Sequence, residues 1–163
     1  HRAALDRLLA VIPADAWRVF DVNLRPPHDD LDVVNALASQ ATLLKLNAAE
    51  AARLHDGGDE SPGREEADAR ALAERTGCTT VCVTSGARGA GLLRAGHWHW
   101  EPGREIAVAD TIGSGDSFLA VLVTHLLNGR LSERESLARA CRLGEWVAAQ
   151  RGATPAYGSS TPV

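Results

Sequence analysis

The 163-residue sequence contains no methionine and opens on His1. A natural translation product begins with methionine, so the sequence reads as one whose start lies elsewhere. It has no apolar run approaching the roughly 20 residues that a membrane span needs. It also lacks the charged-then-apolar opening of a signal peptide. Cytoplasmic residence is the resulting expectation. Positive charge is not in excess either: 17 Lys and Arg stand against 21 Asp and Glu, for a formal net charge of −4. That excludes the basic footprint of a nucleic-acid or anionic-membrane binder. The three cysteines, Cys78, Cys82 and Cys141, form no Cys-x-x-Cys pair. Their apolar neighbours, as in Val81-Cys82-Val83 and Ala140-Cys141, mark buried thiols rather than a disulfide framework or zinc site. No internal repeat and no low-complexity tract interrupts the chain.

What is present suits one globular domain with a substantial core, 45% hydrophobic and 23% charged. Residues 2–11 carry Ala3, Leu5, Leu8, Leu9 and Val11 among charges, the pattern of an amphipathic helix. Residues 17–22 form a short apolar run that reads as a buried strand. Asn23-Leu24-Arg25-Pro26-Pro27 must then be loop, since consecutive prolines cannot continue a ladder. A helix over 31–38 and a strand over 41–46 follow. Asn47 stands at the strand end as the cap of a helix through Leu54. After a polar loop over 56–63 comes a helix over 65–75, stopped by Gly77, and a β-branched strand over 79–84. Residues 91–94 and 97–100 read as a hairpin turning at Ala95-Gly96. Alternation puts His97 and His99 on one face and Trp98 and Trp100 on the other. A His-x-His metal pair has no third ligand nearby in sequence, so a hairpin with one wet face is the favoured reading. The alternation of strands and helices predicts an α/β layer around a mainly parallel sheet.

The chemistry concentrates in Asp110-Thr111-Ile112-Gly113-Ser114-Gly115-Asp116-Ser117-Phe118. Phe118, Leu119, Leu122, Val123, Leu126 and Leu127 continue it at helical spacing until Asn128-Gly129. Glycines at 113 and 115 let consecutive backbone N–H groups point the same way, and the helix dipole adds positive potential. The product is a nest for anionic oxygen with a carboxylate on its rim. Phosphoryl transfer needs those two things, a donor cradle and a base. A simple helix cap is the plainer reading of the same residues. Further on, Ser132 and Glu135 have capping-box spacing at the head of a second helix reaching to about Gln150, closed by Arg151-Gly152-Ala153-Thr154-Pro155. Residues 157–163 read as a polar tail.

Asp110-Thr111-Ile112-Gly113-Ser114-Gly115-Asp116 resembles the Asp-Thr-x-Gly-Ala-Gly-Asp signature of the PfkB (ribokinase-like) carbohydrate kinases, with Ser114 in the alanine place. Three further segments agree in order: Asp21-Val22-Asn23-Leu24-Arg25-Pro26-Pro27, Lys45-Leu46-Asn47-Ala48-Ala49-Glu50, and Val83-Thr84-Ser85-Gly86-Ala87-Arg88-Gly89. The resemblance runs almost end to end and corresponds to the C-terminal portion of a family member. It implies a three-layer ribokinase-like fold with a mainly parallel sheet. Residues 1–163 would be the nucleotide-binding and catalytic portion, with the acceptor and lid portion outside this sequence.

The resemblance further implies ATP-dependent phosphorylation of a sugar or sugar-acid hydroxyl. The Asp-x-Asn-x-Arg form of residues 21–25 is most similar to fructokinase and 2-keto-3-deoxygluconate kinase relatives. Asp116 would be the base, and Gly113, Ser114, Gly115 and the Asp116 amide the anion hole. Asn47, Thr84, Ser85, Gly86, Gly89, Gly115 and Cys141 would bind nucleotide. Glu50 would hold magnesium through water, and Asp110, Ile112, Val147 and Gly152 a potassium ion. Arg25 and Asn23 would lie on the substrate side, Arg25 meeting the acceptor or the transferring phosphate. Plainer readings stand beside two of these: Asn47-x-x-Glu50 is also capping-box spacing, and Arg25 can tie down a turn. Ser85-Gly86-Ala87-Arg88-Gly89 is not Gly-x-Gly-x-x-Gly and opens a strand, so it is a poor match to a dinucleotide site.

The implied partners are nucleotide and a small sugar, with a homodimer open for the whole protein. Two other functions compete. One is a folded fragment that binds nucleotide and catalyses nothing, because an acceptor site and lid are needed for in-line attack. The other is a serine hydrolase, because Gly115-Asp116-Ser117 matches the Gly-Asp-Ser block of GDSL-type esterases. Those need an Asp-x-x-His element, which this sequence lacks.

Overall fold

The computed structural model describes residues 2–159 and 161–162. Among them five strands form one mixed sheet: β1 (Val19–Asp21), β2 (Leu43–Asn47), β3 (Thr80–Thr84), β4 (Gly89–Arg94) and β5 (His97–Pro102), neighbours in that order. β1, β2 and β3 run parallel, with Phe20 opposite Leu44 and Leu44 opposite Val81. β4 and β5 return antiparallel as the hairpin at Ala95-Gly96. Parallel neighbours need crossovers, and helices supply them. α2 (Leu31–Ala38) joins β1 to β2, while α3 (Ala48–Asp56) and α4 (Glu65–Thr76) join β2 to β3. Helix α1 (Arg2–Leu9) precedes the sheet, and α5 (Ser114–Asn128) and α6 (Glu133–Ala148) follow it.

Strand alternation divides the apolar residues between two faces. Leu44, Leu46, Val81, Val83 and Leu93 pack with α2, α3 and α4. Leu43, Cys82 and Leu92 pack with Phe118, Leu122, Leu137 and Val147 of α5 and α6. The result is three layers, helices on both sides of a sheet whose central strands are apolar on both faces.

Both expected capping boxes form. Asn47 accepts from the Glu50 amide while Glu50 accepts from the Asn47 amide, and Ser132 and Glu135 do the same at α6. Several boundaries differ from expectation. The first strand is shorter than residues 17–22: Arg18 turns its amide to the Thr42 hydroxyl, and Trp17 packs beside the α5–α6 core under the Arg94 guanidinium. Leu127, expected on the apolar stripe of α5, is exposed: the buried face runs through Phe118, Val121, Leu122 and Leu126, and Leu127 lies off it. The tail is anchored where Tyr157 packs on Trp146, ring centroids 5.6 Å apart. His97 and His99 find no metal set: among the described residues no group of three His, Cys, Asp or Glu side chains could hold an ion. No helix among the described residues is long and apolar enough to cross a membrane.

Leu122 is fully buried between α5, α6 and the sheet. Leu122→Ala is expected to cost about 3 kcal/mol of folding stability, and Leu127→Ala less than about 0.5 kcal/mol. Urea denaturation followed by circular dichroism checks the pair, and equal losses would contradict this layering.

Candidate active site

The three parallel strands end at Asp21, Asn47 and Thr84, and the N-terminus of α5 arrives over that end of the sheet. Gly113 sets its position. Its φ is +80°, a left-handed turn, and a Cβ there would overlap the Ala153 backbone carbonyl. Because the residue at the cap position is glycine, no side chain caps α5. The first-turn amides of Gly115 and Asp116 therefore stay available to a ligand. Asp110 fastens the turn from the other side. One carboxylate oxygen accepts from the Ile112 amide at 3.0 Å, and the other from the Gly152 amide at 3.3 Å. The Ala109 and Asp110 amides both donate to the Ala148 carbonyl. The signature loop is thus tied to the end of α6.

Asp116 lies exposed on the first turn of α5 with no ion-pair or hydrogen-bond partner for its carboxylate among the described residues. Ser117 points the other way. It is buried, and its hydroxyl meets the Tyr157 hydroxyl at 3.4 Å instead of a histidine. A serine nucleophile has no base there.

Beside the α5 N-terminus opens a cleft of about 480 Å³, mainly apolar. Thr84, Gly86, Gly89, Ser114, Gly115 and Cys141 all line it, so residues 57 positions apart in the chain, from Thr84 to Cys141, share one wall. Ile106, Val108, Phe118 and Gly144 are among the other lining residues. Sequence reasoning missed these four as site residues, since an apolar residue in a connecting segment carries no signal of facing a cleft. The rim beyond Gly144 is held by charge: Arg142 pairs with Glu101 at 2.9 Å and Glu145 at 3.2 Å, and Glu145 accepts from the Arg104 amide. Burial, with the Glu145 and Glu101 carboxylates adding to it, pushes the Cys141 thiol up to about 12.

Other expected site residues stand apart from this cleft. Ser85 is buried and donates its hydroxyl to Glu65 at 3.1 Å. Asn47 uses its side-chain oxygen to cap α3. Glu50 accepts from the Asn47 amide at 2.9 Å with one oxygen and from the Leu24 amide at 3.0 Å with the other. Arg25 donates to Asn23 at 2.9 Å, so the two acceptor candidates brace one another on an exposed loop. Val147 is a core residue whose carbonyl accepts from the Gln150 amide. A pair absent from the expected set lies directly below α5: Lys45 on β2 and Asp21 on β1, 2.9 Å apart.

The model of the pfkB family carbohydrate kinases matches residues 2–159. The chain belongs to the pfkB carbohydrate kinase family. Among pfkB relatives, the aminoimidazole riboside kinase of Salmonella typhimurium is 31% identical over 168 residues, covering 96% of this chain and 50% of the relative. The crystal structure of aminoimidazole riboside kinase from Salmonella enterica, complexed with aminoimidazole riboside and an ATP analog, has a TM-score of 0.73 at 27% identity, over 93% of this chain and 52% of that one. A fructokinase double mutant from Vibrio cholerae O395, with fructose, ADP and potassium ion bound, has a TM-score of 0.76 at 21% identity, over 93% and 51%. The last is a likeness of fold alone. The mixed sheet with helices on both faces is the ribokinase-like arrangement of these neighbours. The chain spans about half the length of the curated relative it matches.

Within this pfkB cleft Cys141 is a wall, not a nucleophile. With its thiol pushed up to about 12, about one molecule in ten thousand carries the thiolate at pH 8. Native protein treated with iodoacetamide at pH 8 is expected to stay unlabelled at Cys141 until denaturant is added, with reactivity rising as pH approaches the thiol's own range. Peptide mass spectrometry checks this. Labelling of the native thiol within minutes would contradict its buried position.

Proposed function

We propose that residues 1–163 form the nucleotide-binding and phosphoryl-transfer portion of an ATP-dependent carbohydrate kinase, acting on a sugar or sugar-like hydroxyl. The observation that carries this is the uncapped N-terminus of α5, opening into an apolar cleft with an unpartnered carboxylate on its first turn. The adenine end of the nucleotide takes the apolar wall made by Val108, Cys141 and Gly144. The phosphates run past Thr84, Gly86 and Gly89 toward the Gly113-Ser114-Gly115 turn. There the Gly115 and Asp116 amides donate to the transferring phosphoryl group, and the helix dipole favours its negative charge. Asp116 accepts the proton of the acceptor hydroxyl as its oxygen bonds to the γ-phosphorus and the bond to the β–γ bridging oxygen breaks.

The Asn23–Arg25 loop is the acceptor side available in this chain. A fructose-like sugar or a riboside is the acceptor class, supported by the loop's motif and by the aminoimidazole riboside kinase relative. Magnesium fits the donor set. Each Glu50 oxygen accepts one amide and keeps a lone pair, and magnesium prefers oxygen ligands while retaining several waters. When bound, it neutralises charge on the phosphate oxygens. A monovalent cation at the 110–112 junction would draw on Asp110 and the carbonyls of Ile112 and Gly152. The Val147 carbonyl, already accepting from Gln150, fits less well. A second reading, nucleotide binding without turnover by this chain alone, is favoured by its spanning half of its relatives' length.

Calorimetric titration with MgADP tests the site first. The folded chain is expected to bind, and Gly113→Val to abolish binding while circular dichroism is retained. ADP release in the presence of fructose or aminoimidazole riboside then separates the two readings. If turnover occurs, Asp116→Asn should lower kcat by about a hundredfold or more, with MgADP affinity changed by less than about twofold. Undiminished turnover in that variant would remove Asp116 as the base.

A further inference from the structure

Of the seventeen basic residues in this chain, one is lysine. That residue, Lys45, sits on β2 between β1 and β3, with its side chain 11% exposed. Its ammonium donates to both Asp21 oxygens, at 2.9 and 3.1 Å. On this side of the sheet its neighbours Leu43 and Cys82 are apolar and packed under α5 and α6, and the polar residues of the same face, Asn47, Thr80 and Thr84, stand only at strand ends. Removing an ion pair from water costs more than its mutual attraction returns unless further groups share the charge, and an apolar pair in its place is often neutral or better. Stability therefore does not explain Lys45.

Its position does. A Cβ built on Gly115 would stand 3.2 Å from the Lys45 Nζ. The ammonium therefore lies directly beneath the first turn of α5, facing the same volume as the Gly115 and Asp116 amides. The positive end of a helix and a buried cation repel one another. Asp21 lies to the side, on β1, and the Asp116 carboxylate on the first turn of α5 makes no hydrogen bond or ion pair with the ammonium. A lysine ammonium has three donors, and Asp21 is its only hydrogen-bond partner among the described residues. The charge that completes the arrangement is a multiply anionic group in front of Gly115. A Cβ at residue 115 would make the ammonium give by a few tenths of an ångström and would narrow the space between it and that group.

We infer that Lys45 is part of the phosphate site, donating to the terminal phosphate of a nucleoside triphosphate, with Asp21 as the residue that positions its ammonium. This rests on the kinase reading above. A compact, rotatable point charge suits this narrow space, where the planar fork of arginine would need the volume that Gly115 keeps open. Because the ammonium serves the end of the triphosphate, its contribution should depend on the number of phosphates, which a merely structural ion pair would not.

The test is calorimetry of the whole chain with MgADP and with the magnesium complex of the β,γ-imido analogue of ATP. In Lys45→Met the analogue is expected to bind about tenfold more weakly, and ADP less than about threefold more weakly. The double variant Asp21→Asn with Lys45→Met leaves no carboxylate unpaired, so it is the folded comparison should the single variant not fold, and the same change in ratio is expected. The wild-type chain gives an independent measurement. Uniform labelling with Nζ-15N lysine yields one ammonium resonance, which is expected to shift more on saturation with the analogue than with ADP. An unchanged affinity ratio in a folded variant, or an unmoved resonance in the saturated complex, would overturn the role of Lys45 and leave the kinase reading intact. A wild-type chain that binds neither nucleotide overturns the kinase reading, and this inference with it.

Discussion

The left-handed turn at Gly113 is the constraint on which the site depends. With a φ of +80° and the Ala153 carbonyl against its α-carbon, it permits no side chain and so no side-chain cap. A helix of 15 residues thus begins with no side chain on its Gly115 and Asp116 amides. Asp30, Asn47 and Ser132 hold first-turn amides of α2, α3 and α6. α4 also starts without a side-chain cap, at Arg64, but only at α5 does a glycine in a left-handed turn take the cap position. The Asp110 carboxylate, bonded to Ile112 and Gly152, supplies the rigidity that a cap would otherwise give.

The three layers exist to present that helix end. β1, β2 and β3 are parallel and so finish on one side, and open α/β sheets place ligands beyond the carboxyl ends of such strands. The antiparallel β4–β5 hairpin then carries the chain from Gly86 and Gly89 on one wall of the cleft round to Ile106 and Val108. α6 packs along α5 and closes the cleft with Cys141 and Gly144. Each wall comes from a different part of the chain, and the sheet sets their spacing.

Most of this architecture could be read from the residues. Periodicity in 31–38 and 65–75, the glycine at 77 and the cap at Asn47 all rest on local physics, and the helices lie where that physics puts them. Thr84, Gly86, Gly89 and Gly115 were legible because small residues at strand ends and helix starts carry a local signature, and they line one cleft. What escaped depends on contacts between distant residues. Nothing near Ser85 reveals that Glu65, twenty positions earlier, takes its hydroxyl. Nothing near Trp17 shows that it leaves the strand to pack under Arg94. The Lys45–Asp21 pair joins residues 24 apart across a parallel ladder, and the Arg142 network joins residues up to 41 apart. Such pairs become visible only once strand register is known.

Glu50 has a consequence of another kind. Its two carboxylate oxygens reach two different segments, the Leu24 amide in the loop after β1 and the Asn47 amide at the head of α3. A single buried side chain thus works as a fixed-length strut between the Asn23–Arg25 loop and the β2–α3 corner. Any change of length or shape in that loop must keep the strut or unseat the corner. The loop after β1 and the head of α3 are thereby mechanically linked, so that a change in one is passed to the other.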